Sequence, residues 1–279
     1  MIKAMVVTDI LAFVERQLES ELRIQAIVDF SGYGRRYLQI LFKKHTNIPL
    51  GQYIRERRLT RAAILLQLTK MPLIDIAMKF QFDSQQSFSR EFKKLTGCTP
   101  LQYRKGKLWD FRHLLPSVII NEPIPEPLEV IYIMGRDIYG FRISHEEELL
   151  SRGSKYRTGY ILRQLSREKG GDVWCFTQTT NAKTRFDTMM LETAIGIRQK
   201  DKDGLLTRYS SPNGWYAHFR FRGGIQEYAI FTTNIYLRLL PYHQLTRTAG
   251  ADLEIFTLDK DMLVCDYYVP VLTDVTLEA

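Results

Sequence analysis

Apolar residues at helical spacing predict two short helices near the start of the chain. Residues 23–29 form the first helix, and residues 35–45 form the second after a Ser-Gly-Tyr-Gly turn. In the second helix Leu38, Leu41 and Phe42 follow the i, i+3, i+4 spacing of a buried stripe. The other positions of this helix are mostly polar, so the pattern predicts a helix-turn-helix unit with one face turned outward.

The same unit recurs fifty residues later in the chain. Residues 34–46 and 84–96 align without a gap, and both contain Phe-Lys-Lys-x-Thr in register. In the second copy Phe88, Phe92 and Leu95 belong to the predicted buried stripe. Ser84 is predicted to cap the second helix, because its hydroxyl can accept a hydrogen bond from an exposed amide of the first turn. Two copies of one helical unit are therefore predicted.

The outward positions of the two longer helices carry side chains that can recognise DNA bases. They are Arg35, Arg36, Gln39 and Lys43 in the first copy and Gln85, Gln86, Ser89 and Arg90 in the second. Arg and Gln make paired hydrogen bonds to guanine and adenine edges, and an α-helix fits the major groove. A solvated polar face is the alternative for one helix, but the same face occurring twice, in register, favours DNA recognition.

The distribution of charge supports this interpretation. Residues 1–113 contain 20 Lys and Arg against 10 Asp and Glu, whereas residues 114–279 contain 19 against 21. A basic first part beside a nearly neutral remainder is what phosphate contact by one domain requires, whereas charge that serves only solubility need not segregate by domain. The charge pattern thus predicts that the first part of the chain binds nucleic acid.

A single long helix is predicted between the two units, over residues 50–68. Its apolar contacts are predicted to be Tyr53, Ile54, Ala62, Leu65 and Leu66. At the usual rise per residue, such a helix spans about 28 Å. Helices that read successive major grooves on one face of DNA lie about 34 Å apart, a separation that a rigid connector of this kind can set. One chain could then do what a helix-turn-helix dimer does.

Several motifs within residues 8–106 resemble the AraC/XylS family of transcription activators, most strongly its Rob, MarA and SoxS branch. They are Ser31-Gly32-Tyr33, Tyr53-Ile54-Arg55-x-Arg57-Arg58-Leu59, Asp75-Ile76-Ala77, Phe82-Asp83-Ser84-Gln85-Gln86-Ser87-Phe88 and Phe92-Lys93-Lys94. The resemblance implies an all-α double helix-turn-helix domain that binds promoter DNA as a monomer and contacts RNA polymerase. It implies no cofactor.

The first recognition helix departs from the branch at two positions. The branch usually carries Trp, Gln and Arg where this chain has Arg36, Gln39 and Ile40. Ile40 offers a base only apolar contact, for example to a thymine methyl group. The resemblance therefore implies a DNA site related to the usual one but different from it. In the second helix the branch's pattern is kept at Gln85, Gln86, Ser87 and Arg90. The resemblance implies that these residues face DNA, either in the major groove or mainly at the phosphate backbone, where contacts position a protein without reading sequence.

A proline-rich segment over residues 114–127 predicts a linker, with domains at 1–113 and 128–279. Beyond it, alternation and β-branched or aromatic content predict strands over 128–134, 173–178, 190–198, 215–222, 253–257 and 263–271, with helices over 156–167 and 224–240. This order predicts strand, helix and two strands, repeated once. The second domain is therefore predicted to be α+β, with internal two-fold symmetry.

Two segments of the second domain, 213–223 and 251–256, resemble the GyrI-like effector-binding domain, which is α+β with an antiparallel sheet. The resemblance implies that Glu254 lies in a ligand pocket that takes bulky hydrophobic or cationic molecules. Trp174, Tyr216 and Tyr228 are the candidate neighbours of this carboxylate, since aromatic rings beside a carboxylate can hold a cation. The alternatives are that the aromatic residues only fill the core and that Glu254 is a solvated residue at a strand end.

The remaining sequence favours neither an enzyme nor a metalloprotein. The three cysteines are widely spaced, the five histidines show no metal-ligand spacing, and no phosphate loop or nucleophile elbow is present. The first residues do not resemble a signal peptide and no stretch is apolar enough to cross a membrane, which predicts a bacterial-type cytoplasmic protein located with its DNA. A protein-interaction module without a small ligand is the main alternative for the second domain. A GyrI-like hydrolase acting through Glu254 is a third.

Overall fold

The computed structural model describes residues 2–120, 129–148, 155–167, 171–182, 184–200 and 205–273. The first part is helical. Its elements are α1 (Ile2–Arg16), α2 (Ile24–Ser31), α3 (Arg35–Thr46), α4 (Leu50–Leu68), α5 (Leu73–Lys79), α6 (Gln85–Thr96) and α7 (Pro100–Lys105). The predicted repeat corresponds to α2–α3 and α5–α6, and the predicted connector is α4. Both predictions are confirmed.

The repeated Phe-Lys-Lys-x-Thr tract forms the ends of the two recognition helices, α3 and α6. The Thr46 hydroxyl lies 2.8 Å from the Phe42 carbonyl oxygen, and the Thr96 hydroxyl lies 2.9 Å from that of Phe92. The next residue in each copy is left-handed, with φ of 60° at Asn47 and 80° at Gly97, which stops a helix. The tract recurs because both helices end in the same way.

The beginnings of the two recognition helices differ. Ser84 caps α6 as predicted, since its Oγ accepts from the Ser87 amide at 3.1 Å. Gly34 occupies the equivalent position before α3 and has no side chain to accept such a bond. The capping interaction thus belongs to the second copy only.

The two halves of α4 pack against different units. Leu50 and Tyr53 near its start join the apolar cluster that contains Phe42 of α3. Residues 62–66 nearer its end join the cluster that contains Phe88 and Phe92 of α6. The connector therefore belongs to both cores. Helix α1, which the pattern did not predict, completes the first core by burying Val7, Ile10, Leu11 and Val14.

An antiparallel sheet and its helices form the second part. The elements are β1 (Trp109–Asp110), β2 (Glu129–Ile133), β3 (Asp137–Glu148), α8 (Lys155–Arg167), β4 (Val173–Asn181), β5 (Thr188–Ile197), β6 (Thr207–Ser210), β7 (Gly214–Gly223), α9 (Ile225–Asn234), α10 (Leu240–Tyr242), β8 (Thr246–Arg247), β9 (Asp252–Asp259) and β10 (Met262–Pro270). A π-helical segment, Ile235–Leu239, joins α9 to α10. The predicted helix over 224–240 is therefore α-helical only to Asn234.

The order of the strands in the large sheet is β2-β7-β10-β9-β4-β5-β3-β6. Two units of strand, helix and two strands, β3-α8-β4-β5 and β7-α9-β9-β10, lie side by side and meet where β4 pairs with β9. The predicted internal symmetry is present. However, the prediction was wrong about the first strand of the first unit, which is β3 and not residues 128–134. Strand β3 ends in His-Glu-Glu-Glu and carries Arg142, so its composition conceals its role.

The two faces of this sheet bury different residues, because side chains alternate between faces. Glu254 pairs with Cys175 on β4 and with Tyr267 on β10, and helices α8 and α9 pack on this face. We call it the helix-covered face. The opposite face has its own apolar cluster, which includes Trp174 and Tyr216.

The helical part is joined to the sheet domain before the predicted linker begins. Strand β1 pairs with β8, and the Phe111 amide donates to the Leu245 carbonyl oxygen at 3.0 Å. Of the predicted linker, residues 114–120 are described and run along α4, where the Leu115 carbonyl oxygen accepts from Arg57 at 2.6 Å and from Thr60 at 3.0 Å. Residues 121–127 lie outside the described ranges. One apolar cluster contains residues of both parts, for example Leu65 of α4 and Phe256 of β9, so the two parts share one continuous core.

Candidate nucleic-acid interface and ligand cavity

The predicted DNA-facing side chains of the first unit all point away from the core. Arg35, Arg36, Gln39, Ile40 and Lys43 are exposed on α3. Leu38, Leu41 and Phe42 on the other side of the helix are buried. Ile40 has 58% of its surface exposed. We call these five exposed residues the first recognition surface.

The second unit presents a comparable set. Gln85, Gln86 and Arg90 are exposed on α6, whereas Ser87 and Ser89 are half-buried. The Ser87 amide is held by the Ser84 cap, and the Arg90 Nε lies 3.7 Å from the Glu91 carboxylate. These five side chains, the second recognition surface, include three long polar groups available to a ligand. The described parts of the sheet domain leave the long polar side chains of both surfaces uncovered.

A cavity of about 140 Å³ lies between α4 and the helix-covered face. Its lining residues include Ile64 and Leu68 from α4, Arg157 and Thr158 from α8, Thr177, Thr179, Met189 and Leu191 from the sheet, and Tyr228, Thr232, Thr233 and Tyr236 from α9 and the π-helical segment. Ala229, Asp252, Tyr267, Glu147 and Glu148 complete the described lining. The cavity therefore has walls from both parts of the chain.

Glu254 lies behind one wall of this cavity, and it is fully buried. The Arg157 guanidinium donates to its two oxygens at 2.5 Å and 2.8 Å, and the Thr177 hydroxyl donates at 3.0 Å. The Tyr228 hydroxyl donates to it as well. Burial raises the pKa of Tyr228 well above its ordinary value, and the nearby Cys265 and Glu254 add to this, so the phenol remains a donor. Glu254 is thus a buried carboxylate whose charge is balanced by the Arg157 guanidinium. It is not a solvated residue at a strand end.

A second buried ion pair lies beside the first. Arg247 donates from Nη2 to Asp252 Oδ1 at 2.9 Å, and Tyr267 donates to Asp252 Oδ2 at 2.6 Å. Tyr236 also donates to this carboxylate. Burial raises the pKa of Tyr236, as does the neighbouring Asp252. Asp252 and Glu254 share the helix-covered face because they are two positions apart on one strand.

The structure brings together only part of the predicted effector site. Tyr228 contacts Glu254, whereas Trp174 and Tyr216 lie in the cluster on the opposite face of the sheet. His218 also lies away from Glu254, with Nε2 at 2.8 Å from Asp266. Sequence reasoning missed Arg157 and the α4 residues of the cavity. Only Asp252 had a local signal, its D-x-E spacing with Glu254.

Comparison with known proteins agrees with the helical repeat. Residues 16–106 match the model of a helix-turn-helix domain family. None of the helices in the part of the chain that the structure describes has the length and apolar composition of a bilayer-spanning helix.

Similarity to known proteins extends beyond the helical region. The chain is 34% identical over 278 residues to the F1 operon positive regulatory protein of Yersinia pestis, which covers 98% of this chain and 90% of that protein. It is 37% identical over 201 residues to the putative HTH-type transcriptional regulator YkgA of Escherichia coli K12, covering 70% and 83% of the two chains. It is 27% identical over 290 residues to the transcriptional regulator Rob of Salmonella typhimurium, and this match covers 96% of this chain and 99% of Rob. The chain therefore belongs to the AraC/XylS family of DNA-binding transcription regulators, in the Rob-like group that carries a C-terminal domain.

Proposed function

We propose that this regulator is an activator that reads two adjacent major-groove segments of promoter DNA, one with each recognition surface. The observation that carries the proposal is that α4 packs into the cores of both units, and that each unit presents an exposed set of Arg, Gln or Lys side chains. A shared rod fixes the distance between the two surfaces. A monomer can then bind as a helix-turn-helix dimer does.

The activating role is supported by the name of the relative from Yersinia pestis, a positive regulatory protein. Activation proceeds through contact with RNA polymerase, as the family resemblance implies. The C-terminal domain responds to a small-molecule inducer, for which the cavity beside α4 offers a place. Because the described part of that domain leaves both recognition surfaces open, we propose that it acts on the geometry of α4 and not by covering the DNA-binding side chains.

Base reading by the first recognition surface can be tested at Gln39. We expect Gln39→Ala to weaken binding to a selected promoter site by about 1–3 kcal/mol, or roughly 5- to 150-fold, because a paired hydrogen bond to adenine is lost. Arg90→Ala should weaken binding more evenly across sequences and reduce the dependence on salt, if it contacts phosphate. Fluorescence anisotropy with the selected site and a scrambled duplex, at two salt concentrations, measures both effects.

The parent's failure to prefer any duplex, even one enriched from random sequences, would contradict the proposed function. Equal losses on selected and scrambled DNA for Gln39→Ala would contradict base reading by this residue.

The departure at Ile40 predicts a change in sequence preference. Ile40→Arg restores the side chain usual in the Rob, MarA and SoxS branch, so we expect it to bind the usual site of that branch more tightly than the parent does. Ile230 on α9 has the same exposed fraction, 58%. Ile230→Arg thus adds the same charge to α9 of the sheet domain and not to α3, and we expect it to leave the preference unchanged. Anisotropy titrations should show no difference between Ile40→Arg and the parent if Ile40 does not face DNA.

A further inference from the structure

The first turn of α1 lies beside the first recognition helix and brings a lysine to it. The Lys3 ammonium lies 5.7 Å from the centre of the Tyr37 ring, within the range over which an aromatic ring attracts a cation. Val7 and Ile10, further along α1, are buried in the same apolar cluster as Leu38 of α3. Helix α1 is therefore packed against α3, and its first turn carries Lys3 to Tyr37.

Tyr37 lies on one side of α3, next to the first recognition surface. Successive residues of an α-helix are turned by about 100°, so Tyr37 lies between the outward side, which includes Ile40, and the buried side, which includes Leu41. Tyr37 has 40% of its surface exposed. Lys44 follows it two turns later on the same side and is exposed as well. We call Lys3, Tyr37 and Lys44 the α1-side flank.

The two ammonium groups of this flank are available to an anion. Lys3 and Lys44 are both exposed, and within the part of the chain that the structure describes neither forms an ion pair with a carboxylate. Lys79 on α5, by contrast, lies 2.7 Å from the Glu19 carboxylate. An ammonium group has three N–H donors and no acceptor. The α1-side flank thus offers two positive charges beside a phenol.

The shape of the major groove decides what such a flank meets. The groove is about 12 Å wide, and an α-helix with its side chains is about 10–12 Å across. A helix whose outermost side chains reach the bases therefore has a sugar–phosphate strand along each side. When the first recognition surface faces the bases, the α1-side flank faces one of these strands. Lysine and tyrosine are among the side chains that contact DNA phosphates.

We propose that the α1-side flank binds one sugar–phosphate strand of the DNA segment that α3 reads, with Lys3 and Lys44 each contacting a phosphate group and the Tyr37 ring positioning Lys3. The proposal rests on the proposed function, since it requires that α3 enter the major groove. Helix α1 lies outside the helix-turn-helix repeat, so the DNA-binding surface extends beyond the repeat. Phosphate contacts fix the position of a protein on DNA without reading sequence.

The two units differ at the positions of Lys3 and Tyr37. The fifty-residue register places Tyr53 of α4 at the position of Lys3, and Tyr53 is fully buried in the first core. The same register places Ser87 of α6 at the position of Tyr37. At these two positions the second unit therefore carries a buried phenol and a small hydroxyl group. We expect the first unit to hold the DNA backbone more strongly than the second.

The first test measures the salt dependence of DNA binding by the full chain. Each phosphate contact adds about 0.9 to the slope of log K against log salt, so Lys3→Gln should lower this slope by about one and weaken binding about five- to tenfold at 0.1 M salt. Lys3→Gln with Lys44→Gln should lower the slope by about two. The losses should be equal on the selected and the scrambled duplex, because phosphates carry no sequence information.

Lys200→Gln is the matched control for charge. It removes an exposed lysine that follows β5 in the sheet domain, and it should keep the slope of the parent. An unchanged slope in the double variant, Lys3→Gln with Lys44→Gln, would overturn the proposal.

The second test asks whether the Tyr37 ring positions Lys3. Phenylalanine keeps a ring face for the ammonium group, so Tyr37→Phe should have the salt slope of the parent, whereas Tyr37→Ala should have that of Lys3→Gln. Urea denaturation of each variant is measured alongside, because a purely structural role would lower stability and leave the slope unchanged. A parental slope in Tyr37→Ala would overturn the positioning role.

The third test locates the contact on the DNA. A methylphosphonate replaces one charged phosphate with a neutral group, and a series of duplexes carries it at successive positions along the selected site. We expect one position at which this change weakens binding of the parent about five- to tenfold but leaves the affinity of Lys3→Gln unchanged, because the variant already lacks that contact. Equal losses for the parent and Lys3→Gln at every position would overturn the proposal.

Binding of the parent to unmodified duplexes separates the two levels of the argument. Failure of the parent to bind any duplex would reject the proposed function itself. Selective binding by the parent, together with a parental slope and affinity in both lysine variants, would reject the α1-side flank alone.

Discussion

We expect Arg57→Ala to lower the free energy of unfolding by about 3–5 kcal/mol, because the substitution removes one partner of a buried ion pair. Arg57 is fully buried in α4. It donates to Glu15 of α1 from Nε at 2.7 Å and from Nη2 at 3.2 Å, and to the carbonyl oxygens of Leu115 and Leu237. In the variant the Glu15 carboxylate stays mostly buried but has lost its main cationic partner.

Urea denaturation of the full chain, followed by circular dichroism, measures this loss. Arg61→Ala is the matched control, because Arg61 also contacts Glu15, with Nη2 at 3.2 Å from the carboxylate, but keeps part of its surface in solvent. Arg61→Ala should lower the free energy of unfolding clearly less than Arg57→Ala does. Arg57→Lys should fall between the two, since a single ammonium group cannot reach all three partners. Equal losses for Arg57→Ala and Arg61→Ala would contradict the special role of Arg57.

The same contact predicts a dependence on pH. Burial by itself raises the pKa of Glu15, but the charges and hydrogen bonds of Arg57 and the charge of Arg61 outweigh it and hold the pKa below its ordinary value of 4.5. A carboxyl group whose pKa is lower in the folded state contributes stability above its unfolded pKa. It loses this contribution as the pH falls through the folded value. The parent should therefore lose stability below about pH 4.5 more steeply than Glu15→Gln does.

We expect Glu254→Ala to lower the free energy of unfolding by about 3–5 kcal/mol as well, because it leaves the Arg157 guanidinium buried without its carboxylate. Replacing both residues, Arg157→Met with Glu254→Leu, removes both charges together and should recover most of the loss. The surface pair Arg222 and Asp259, with 2.7 Å between its charged atoms, is largely exposed. Asp259→Ala should cost less than about 1 kcal/mol.

Denaturation of these variants in one series of experiments separates the contributions. A double variant as unstable as Glu254→Ala would show that shape, and not unpaired charge, governs this part of the core. The series also matters for function, since a loss of response to an inducer in Glu254→Ala could reflect instability alone. The double variant keeps the core filled and tests the effector role of the ion pair more directly.

Local patterns in the sequence predicted the helical half well. The ends of α4 and the Ser84 cap follow from apolar spacing and from a hydroxyl beside a free amide, and both signals lie within a few residues of their targets. The predictions that failed depend on distant partners. Arg157 and Glu254 are 97 positions apart, and Arg57 and Leu237 are 180 apart, so no local periodicity could join them.

The effector site also shows how a shift of one position changes a prediction about a strand. Trp174 precedes Cys175, which lies opposite Glu254. Because neighbouring residues point to opposite faces, Trp174 is directed away from the carboxylate. A prediction that placed the residues on the correct strands could still place them on the wrong side of the sheet. Only the register of the pairing decides this.

The short pairing of β1 with β8 has a consequence for any attempt to divide the molecule. A fragment cut at residue 113, the predicted end of the DNA-binding domain, would keep Trp109 and Phe111 but lose the strand and the core that cover them. Phe111 is buried in the whole protein, so such a fragment would expose the apolar side chains of Trp109 and Phe111 to solvent. We expect the fragment to self-associate through them. A cut close to Gly106, immediately after α7, removes that tail and gives the cleaner minimal DNA-binding fragment.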